Sequence, residues 1–105
     1  DLATMKTLLE KQHCTVVCAI GGKEALSILS KTKKFTFILI DILMPELSGY
    51  DLLKIIRHKY NHNMKLIYVS IVPKKEVNMK DADGFIQKPF TPEEFTNYIE
   101  KNITK

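Results

Sequence analysis

The sequence predicts an α/β fold, a doubly wound parallel sheet within one domain that spans residues 1–105. Helical and β-type segments alternate along the chain, which is the pattern of strand–helix–strand units with right-handed crossovers. Phe35–Ile40 is a short apolar run of the kind that forms strands buried on both faces of parallel sheets. A length of 105 residues with 45% hydrophobic content suits one compact domain.

The first half of the chain provides two helices and two strands. Leu2, Met5, Leu8 and Leu9 recur at helical spacing and predict a helix that ends near His13. The β-branched run Cys14–Ile20 predicts a strand. A Gly-Gly turn and a helix over Lys23–Ser30 follow, and Phe35–Ile40 is the next strand.

The second half continues the alternation. Ser48 has the Ser-x-x-acid spacing of a capping box and begins a helix that ends around Tyr60. Lys65–Ser70 and Gly84–Gln87 are predicted strands, and the polar stretch between them predicts a short or irregular helix. Thr91, with Pro and Glu after it, begins the last helix.

The predicted order begins with a helix, whereas a doubly wound sheet begins with a central strand. We therefore expect a first strand that lies in a longer natural protein or comes from another chain.

Composition narrows the function classes. The net charge is +4, with scattered lysines but no recognition helix, so nucleic acid is a minor alternative. Cys14 and Cys18 lack the spacing of a redox or zinc motif and are interpreted as core residues on one strand face, and His13, His58 and His62 are not interpreted as metal ligands. No membrane span or leader is visible, and we expect a cytoplasmic protein.

Three polar residues follow or end predicted strands: Asp41, Ser70 and Lys88. The carboxyl ends of parallel strands share one edge of the sheet, so these side chains are expected to converge. An acid, a hydroxyl and an ammonium group are suited to phosphoryl transfer. Asp41 would be the nucleophile, and Lys88 and Ser70 would stabilise phosphoryl oxygens.

The segment Asp41–Gly49, Ser70 and Lys88-Pro89-Phe90 resemble the motifs of the receiver domain of two-component response regulators, the CheY-like fold. The resemblance implies strand order 2-1-3-4-5, with the first strand absent from the given chain. It also implies that Asp41 is the phosphoacceptor, that Ser70 and Phe85 act as switch residues, and that the Lys88–Pro89 bond is cis. Asp41 and the backbone carbonyl of Leu43 would be Mg²⁺ ligands.

The chain also departs from this family. The acidic pair that completes the Mg²⁺ site precedes the given residues, and Asp1 is interpreted as a helical or N-terminal residue rather than one of the pair. Mg²⁺ binding is therefore expected to be weak or absent. Ile71 stands where the family has a small residue.

The resemblance implies partners as well: a histidine kinase or histidine phosphotransfer protein as donor, and a downstream effector or a homodimer at a face built from the last strand and its flanking helices. No membrane is involved, and nucleic acid is contacted only through an absent effector domain. The domain is interpreted as a switch that assists its own phosphotransfer rather than as an enzyme. The main alternative is a pseudo-receiver, which binds proteins without phosphorylation. A haloacid-dehalogenase-type hydrolase is disfavoured because it would need a second acid two residues after Asp41, where Leu43 stands. A flavodoxin-like cofactor binder is disfavoured because the sequence has no phosphate-binding loop.

Overall fold

The computed structural model describes residues 2–31, 34–60 and 63–103. In chain order its elements are α1 Leu2–Glu10, α2 Gly22–Lys31, β1 Phe37–Asp41, α3 Gly49–Lys59, β2 Lys65–Ser70, a 3₁₀ turn Lys74–Glu76, β3 Gly84–Gln87 and α4 Pro92–Asn102. The chain divides into two compact units. One combines Asp1–Cys18 with Phe90–Lys105, and the other is Ala19–Pro89. The single domain of the sequence analysis stays a prediction.

The unit Ala19–Pro89 contains a parallel sheet of three strands in the order β1-β2-β3. Its register sets Asp41 opposite Val69 and Ser70 opposite Gln87. The described strands are all parallel, and helices α3 and α4 follow the first and the last of them, which confirms the predicted α/β class. Because the strands run in one direction, their carboxyl ends lie at one edge.

The central strand of this sheet is β2, and it is the most buried. Every residue of β2 except Lys65 is buried, whereas in β1 only Ile40 is buried. The prediction that Phe35–Ile40 is buried on both faces is therefore wrong. The strand also begins two residues later than predicted and includes Asp41. In the described part of the chain β1 pairs on one side only, so its residues stay partly accessible.

Helix α3 follows β1 and packs on the sheet through a buried apolar face. Ser48 provides one half of the predicted capping box: its hydroxyl accepts a hydrogen bond from the Asp51 N–H at 3.2 Å. The buried side chains of the helix are Leu52, Leu53 and Ile56. They belong to one core cluster with residues of all three strands. Near the end of the helix, Arg57 donates to the carbonyls of Met64 and Asp81 and to the Asp83 carboxylate.

The other unit contains α1 and α4, which contact each other. Thr91 forms the predicted capping box: its hydroxyl accepts from the Glu94 N–H at 3.0 Å, and the Glu94 carboxylate accepts from the Thr91 N–H at 2.8 Å. Pro92 is the first helical residue, where its missing N–H carries no cost.

The predicted strand over Cys14–Ile20 is wrong, because the structure has no strand over these residues. An extended segment becomes a strand only when a neighbour takes up its backbone hydrogen bonds, and the described residues provide no such neighbour. The interpretation of both cysteines as core residues is also wrong, since Cys18 is exposed and Cys14 is half-buried.

The predicted weak helix after Ser70 proves to be the single 3₁₀ turn Lys74–Glu76, within an otherwise irregular connection. The interpretations of Asp1 and His62 concern residues that the structure does not describe. Among the residues that it describes, none of the helices is long and apolar enough to cross a membrane.

Candidate functional site

Asp41 and Lys88 form an ion pair at the carboxyl edge of the sheet. The Lys88 Nζ lies 3.2 Å from the Asp41 Oδ2, although the two residues are 47 positions apart in sequence. The side chains are 42% exposed for Asp41 and 22% exposed for Lys88. The pair is therefore accessible to a ligand from solvent on the carboxylate side. The predicted convergence of the acid and the ammonium group is observed.

The loop after β1 holds the Asp41 carboxylate and closes tightly onto helix α3. The Leu43 N–H donates to the Asp41 Oδ1 at 3.1 Å, and the Gly49 N–H donates to the Ile42 carbonyl at 2.9 Å. A Cβ atom on Gly49 would lie 2.6 Å from the Ile42 Cα and closer still to the Asp41 carbonyl oxygen. A side chain at Gly49 would therefore force the Asp41 backbone to move.

Ser70 ends β2 and is completely buried. Its hydroxyl oxygen accepts from the Val72 N–H at 3.0 Å, and its carbonyl accepts from the Lys88 N–H at 2.8 Å. Ser70 lies one residue beyond Val69, which pairs with Asp41 in the register. The backbone thus joins Ser70 to Lys88 directly and places it one step along the strand from the level of Asp41.

Phe85 lies on β3 opposite Tyr68 and is 9% exposed. Tyr68 packs edge-on against Tyr50, with ring centroids 5.5 Å apart. Burial is the main cause that raises the pKa of Tyr68 to about 12, and the neighbouring Tyr50 and Asp81 add to it. Phe85, the expected switch residue, thus lies on β3, next to the strand β2 that carries Ser70.

The residues expected to hold Mg²⁺ do not form a metal site by themselves. Asp41 contributes one carboxylate, and Leu43 lies in an exposed loop beside it. The described residues contain no group of three or more His, Cys, Asp or Glu that could hold a metal ion. Asp41 and the Leu43 carbonyl leave most of the octahedral positions of Mg²⁺ to other ligands, so the described residues do not by themselves fit a complete magnesium site.

The Lys88–Pro89 peptide bond is cis, as the resemblance implied. Sequence reasoning missed Gln87, which lies next to this bond. The Gln87 side-chain nitrogen donates to the carbonyls of Ser70 and Lys88 at 3.0 Å and of Ile71 at 3.2 Å. An exposed glutamine at the end of a strand carries no signal in the sequence that would distinguish it from an ordinary surface residue.

The comparisons with known proteins agree with this geometry. The family described as "Response regulator receiver domain" matches residues 2–100. The response regulator SaeR of Staphylococcus aureus (strain USA300) is 29% identical over 104 residues, which cover 95% of this chain and 44% of that protein. This chain thus spans less than half of that curated relative.

Solved structures show the same relationship. The receiver domain of the Francisella response regulator 1452 is 33% identical with a TM-score of 0.76, and the match covers 92% of this chain and 82% of that one. The response regulator TrrA of Thermotoga maritima, in complex with Mg(2+)-BeF, shares the fold with a TM-score of 0.81 at 24% identity, over 94% of this chain and 86% of that one. This chain therefore belongs to the response regulator receiver domain family.

Proposed function

We propose that this receiver domain accepts a phosphoryl group on Asp41 from a phosphohistidine donor and assists that transfer itself. An Asp41 carboxylate oxygen attacks phosphorus, and the phosphorus–nitrogen bond of the donor breaks. The imidazole leaves and takes up a proton, and an acyl phosphate remains on Asp41. The observation that carries the proposal is the ion pair between Asp41 and Lys88, with Ser70 fixed beside Lys88 by a backbone hydrogen bond.

Each of the other two residues has a distinct role in the proposal. Lys88 leaves the carboxylate for a phosphoryl oxygen and stabilises the negative charge that develops on it. The Ser70 hydroxyl then donates a hydrogen bond to another phosphoryl oxygen. This requires Ser70 to leave its present contact with the Val72 N–H or to share it.

The output follows from the position of Ser70 in the sheet. A movement of Ser70 displaces the end of β2, and Phe85 on the adjacent β3 responds to it. A downstream effector or a second copy then binds the surface around β3. The donor would be a histidine kinase or a histidine phosphotransfer protein, and a cytoplasmic location stays a prediction.

The test is phosphorylation of the full-length protein by acetyl phosphate with Mg²⁺ in the buffer, followed by intact mass. We expect a mass gain of one phosphoryl group that hydroxylamine removes, since acyl phosphates react with it. Asp41→Asn should abolish the gain, whereas Asp51→Asn, an exposed acid in the first turn of α3, should leave it unchanged. Lys88→Met should slow the gain by about two orders of magnitude.

The second candidate is a pseudo-receiver that binds a protein partner without phosphorylation. One observation favours it: Ile71, directly after Ser70, is large and 62% exposed. If the wild-type protein gains no mass and its amide spectrum around Ser70 and Phe85 does not change with beryllofluoride, the switch is refuted and the pseudo-receiver stands.

A further inference from the structure

The Gln87 side chain reaches the backbone on both sides of the site. Its nitrogen donates to three carbonyls, two on Ser70 and Ile71 at the end of β2 and one on Lys88 itself. Since all three partners are acceptors, only the NH₂ group of the amide can face them. Its two hydrogens serve three acceptors, so one hydrogen is shared.

The contact with Ile71 matters most, because it acts on the group that holds the Ser70 hydroxyl. The Ile71 carbonyl and the Val72 N–H belong to one planar peptide group and point in opposite directions across it. Gln87 donates to the carbonyl side at 3.2 Å, and the N–H side donates to the Ser70 hydroxyl oxygen at 3.0 Å. A continuous chain of hydrogen bonds therefore runs from Gln87 through this peptide to Ser70.

The same side chain also contacts the chain after β3. The Lys88 carbonyl belongs to the peptide bond between Lys88 and Pro89, and Gln87 donates to it at 3.0 Å. The Lys88 N–H in turn donates to the Ser70 carbonyl. One exposed side chain thus orients the peptide groups after both Ser70 and Lys88, and hydrogen bonds in such chains polarise one another.

We propose that Gln87 is a positioning residue of the phosphoacceptor site: its amide sets the rotation of the Ile71–Val72 peptide and so the orientation of the Ser70 hydroxyl. The proposal rests on the function proposed above, because the Ser70 hydroxyl matters only if a phosphoryl group is received there. Gln87 does not touch the reacting atoms. It determines how far Ser70 must rearrange before it can donate to a phosphoryl oxygen.

The test uses two variants of Gln87 in the full-length protein. Gln87→Met keeps the length of the side chain and removes both N–H donors. Gln87→Lys replaces the amide by an ammonium group, which can again donate hydrogen bonds. Lys54→Met, on the exposed side of α3, is the control for placing a methionine on the surface. Thermal unfolding by circular dichroism checks that each variant folds.

The first readout is amide hydrogen exchange at Val72 in the free protein, which does not depend on phosphorylation. We expect Gln87→Met to speed this exchange about fivefold, since one typical hydrogen bond contributes about that factor, and Gln87→Lys to recover the wild-type rate to within about twofold. A general loss of stability would speed exchange throughout the sheet instead of at Val72. Unchanged exchange at Val72 in Gln87→Met would overturn the proposal whether or not the protein is phosphorylated.

The second readout is the affinity for beryllofluoride with Mg²⁺, followed by the amide signals of Val72 and Lys88. Gln87→Met should change the apparent Kd by about fivefold, and Gln87→Lys and Lys54→Met should stay close to wild type. A wild-type protein that does not respond refutes the proposed function and leaves the exchange result at Val72 to decide the role of Gln87. A wild-type response with an identical response of Gln87→Met overturns the positioning role alone.

Discussion

Replacement of Gly49 by alanine should destabilise the protein because the backbone of the phosphoacceptor loop occupies the space of the new methyl group. The Cβ atom would lie 2.6 Å from the Ile42 Cα and 2.9 Å from the Asp41 carbonyl carbon. Both distances are far below ordinary contact, and neither atom can turn aside as a flexible side chain could. The β1–α3 loop must therefore move.

The magnitude follows from two opposing effects. Overpacking of this kind costs about 1–3 kcal/mol, and alanine returns up to about 1 kcal/mol through its better helix propensity and a less flexible unfolded chain. We expect Gly49→Ala to lower the free energy of unfolding by about 1–2 kcal/mol. With a urea slope of about 1–3 kcal/mol per molar, the midpoint falls by roughly 1 M.

Two other glycines provide matched controls. A Cβ on Gly21 meets nothing within 4 Å. Gly21 precedes α2, and its carbonyl accepts from the Ala25 N–H, so alanine there is a slightly poorer helix cap. Because this small loss offsets the entropic gain, Gly21→Ala should change stability by less than about 0.5 kcal/mol. The loss of stability in Gly22→Ala should lie between those of Gly21→Ala and Gly49→Ala, because the nearest neighbour of the new Cβ is the movable side chain of Leu47. If Gly49→Ala unfolds at the same urea concentration as Gly21→Ala, the argument from close backbone packing is refuted.

Three further predictions concern stability. Arg57→Met should lower the free energy of unfolding by about 2–3 kcal/mol, because it removes hydrogen bonds to two carbonyls and to the Asp83 carboxylate, which also accepts from the Leu66 N–H of β2. Urea unfolding measures the loss, and Lys54→Met is the control that should be near neutral. Because folding raises the pKa of Tyr68 from 10 to about 12, the unfolded chain ionises first as the pH rises. The free energy of unfolding should therefore stay constant below pH 10 and fall by about 2–3 kcal/mol between pH 10 and 12. Tyr68→Phe should remove this decrease, and an unchanged free energy of unfolding of the wild type over that range would contradict the prediction. Thr91→Ala should cost about 1 kcal/mol by removing the cap of α4, and a loss of helical circular dichroism at a lower temperature would show it.

The sequence was most informative where a local signal determines the structure. Helices α3 and α4 begin where Ser48 and Thr91 predict, since a cap satisfies backbone donors within its own turn. The pairing of Asp41 with Lys88 was also predictable, because it needs only the rule that parallel strands end at one edge.

The errors arose where the structure depends on a neighbour that the local sequence does not reveal. Cys14–Ile20 has the composition of a strand, but β-branched residues form a strand only when the backbone finds a partner. Likewise, the runs Phe37–Asp41 and Lys65–Ser70 are similarly apolar, yet only the second has a described strand on each side. The contacts of Gln87 could not be predicted because its three partners are backbone carbonyls, which every sequence has.

The proposed switch combines a weak, solvent-accessible ion pair with a hydrogen-bonded backbone. The Asp41 carboxylate is 42% exposed, and ion pairs this close to solvent contribute only about 0–1 kcal/mol. Lys88 can therefore move from the carboxylate to a phosphoryl oxygen at little cost. Its main chain cannot follow as easily, because its N–H is bonded to the carbonyl of the fully buried Ser70. In the proposed switch, the ammonium group of Lys88 therefore moves first, and a later movement of Ser70 is transmitted to the end of β2 and to Lys88 through this backbone hydrogen bond.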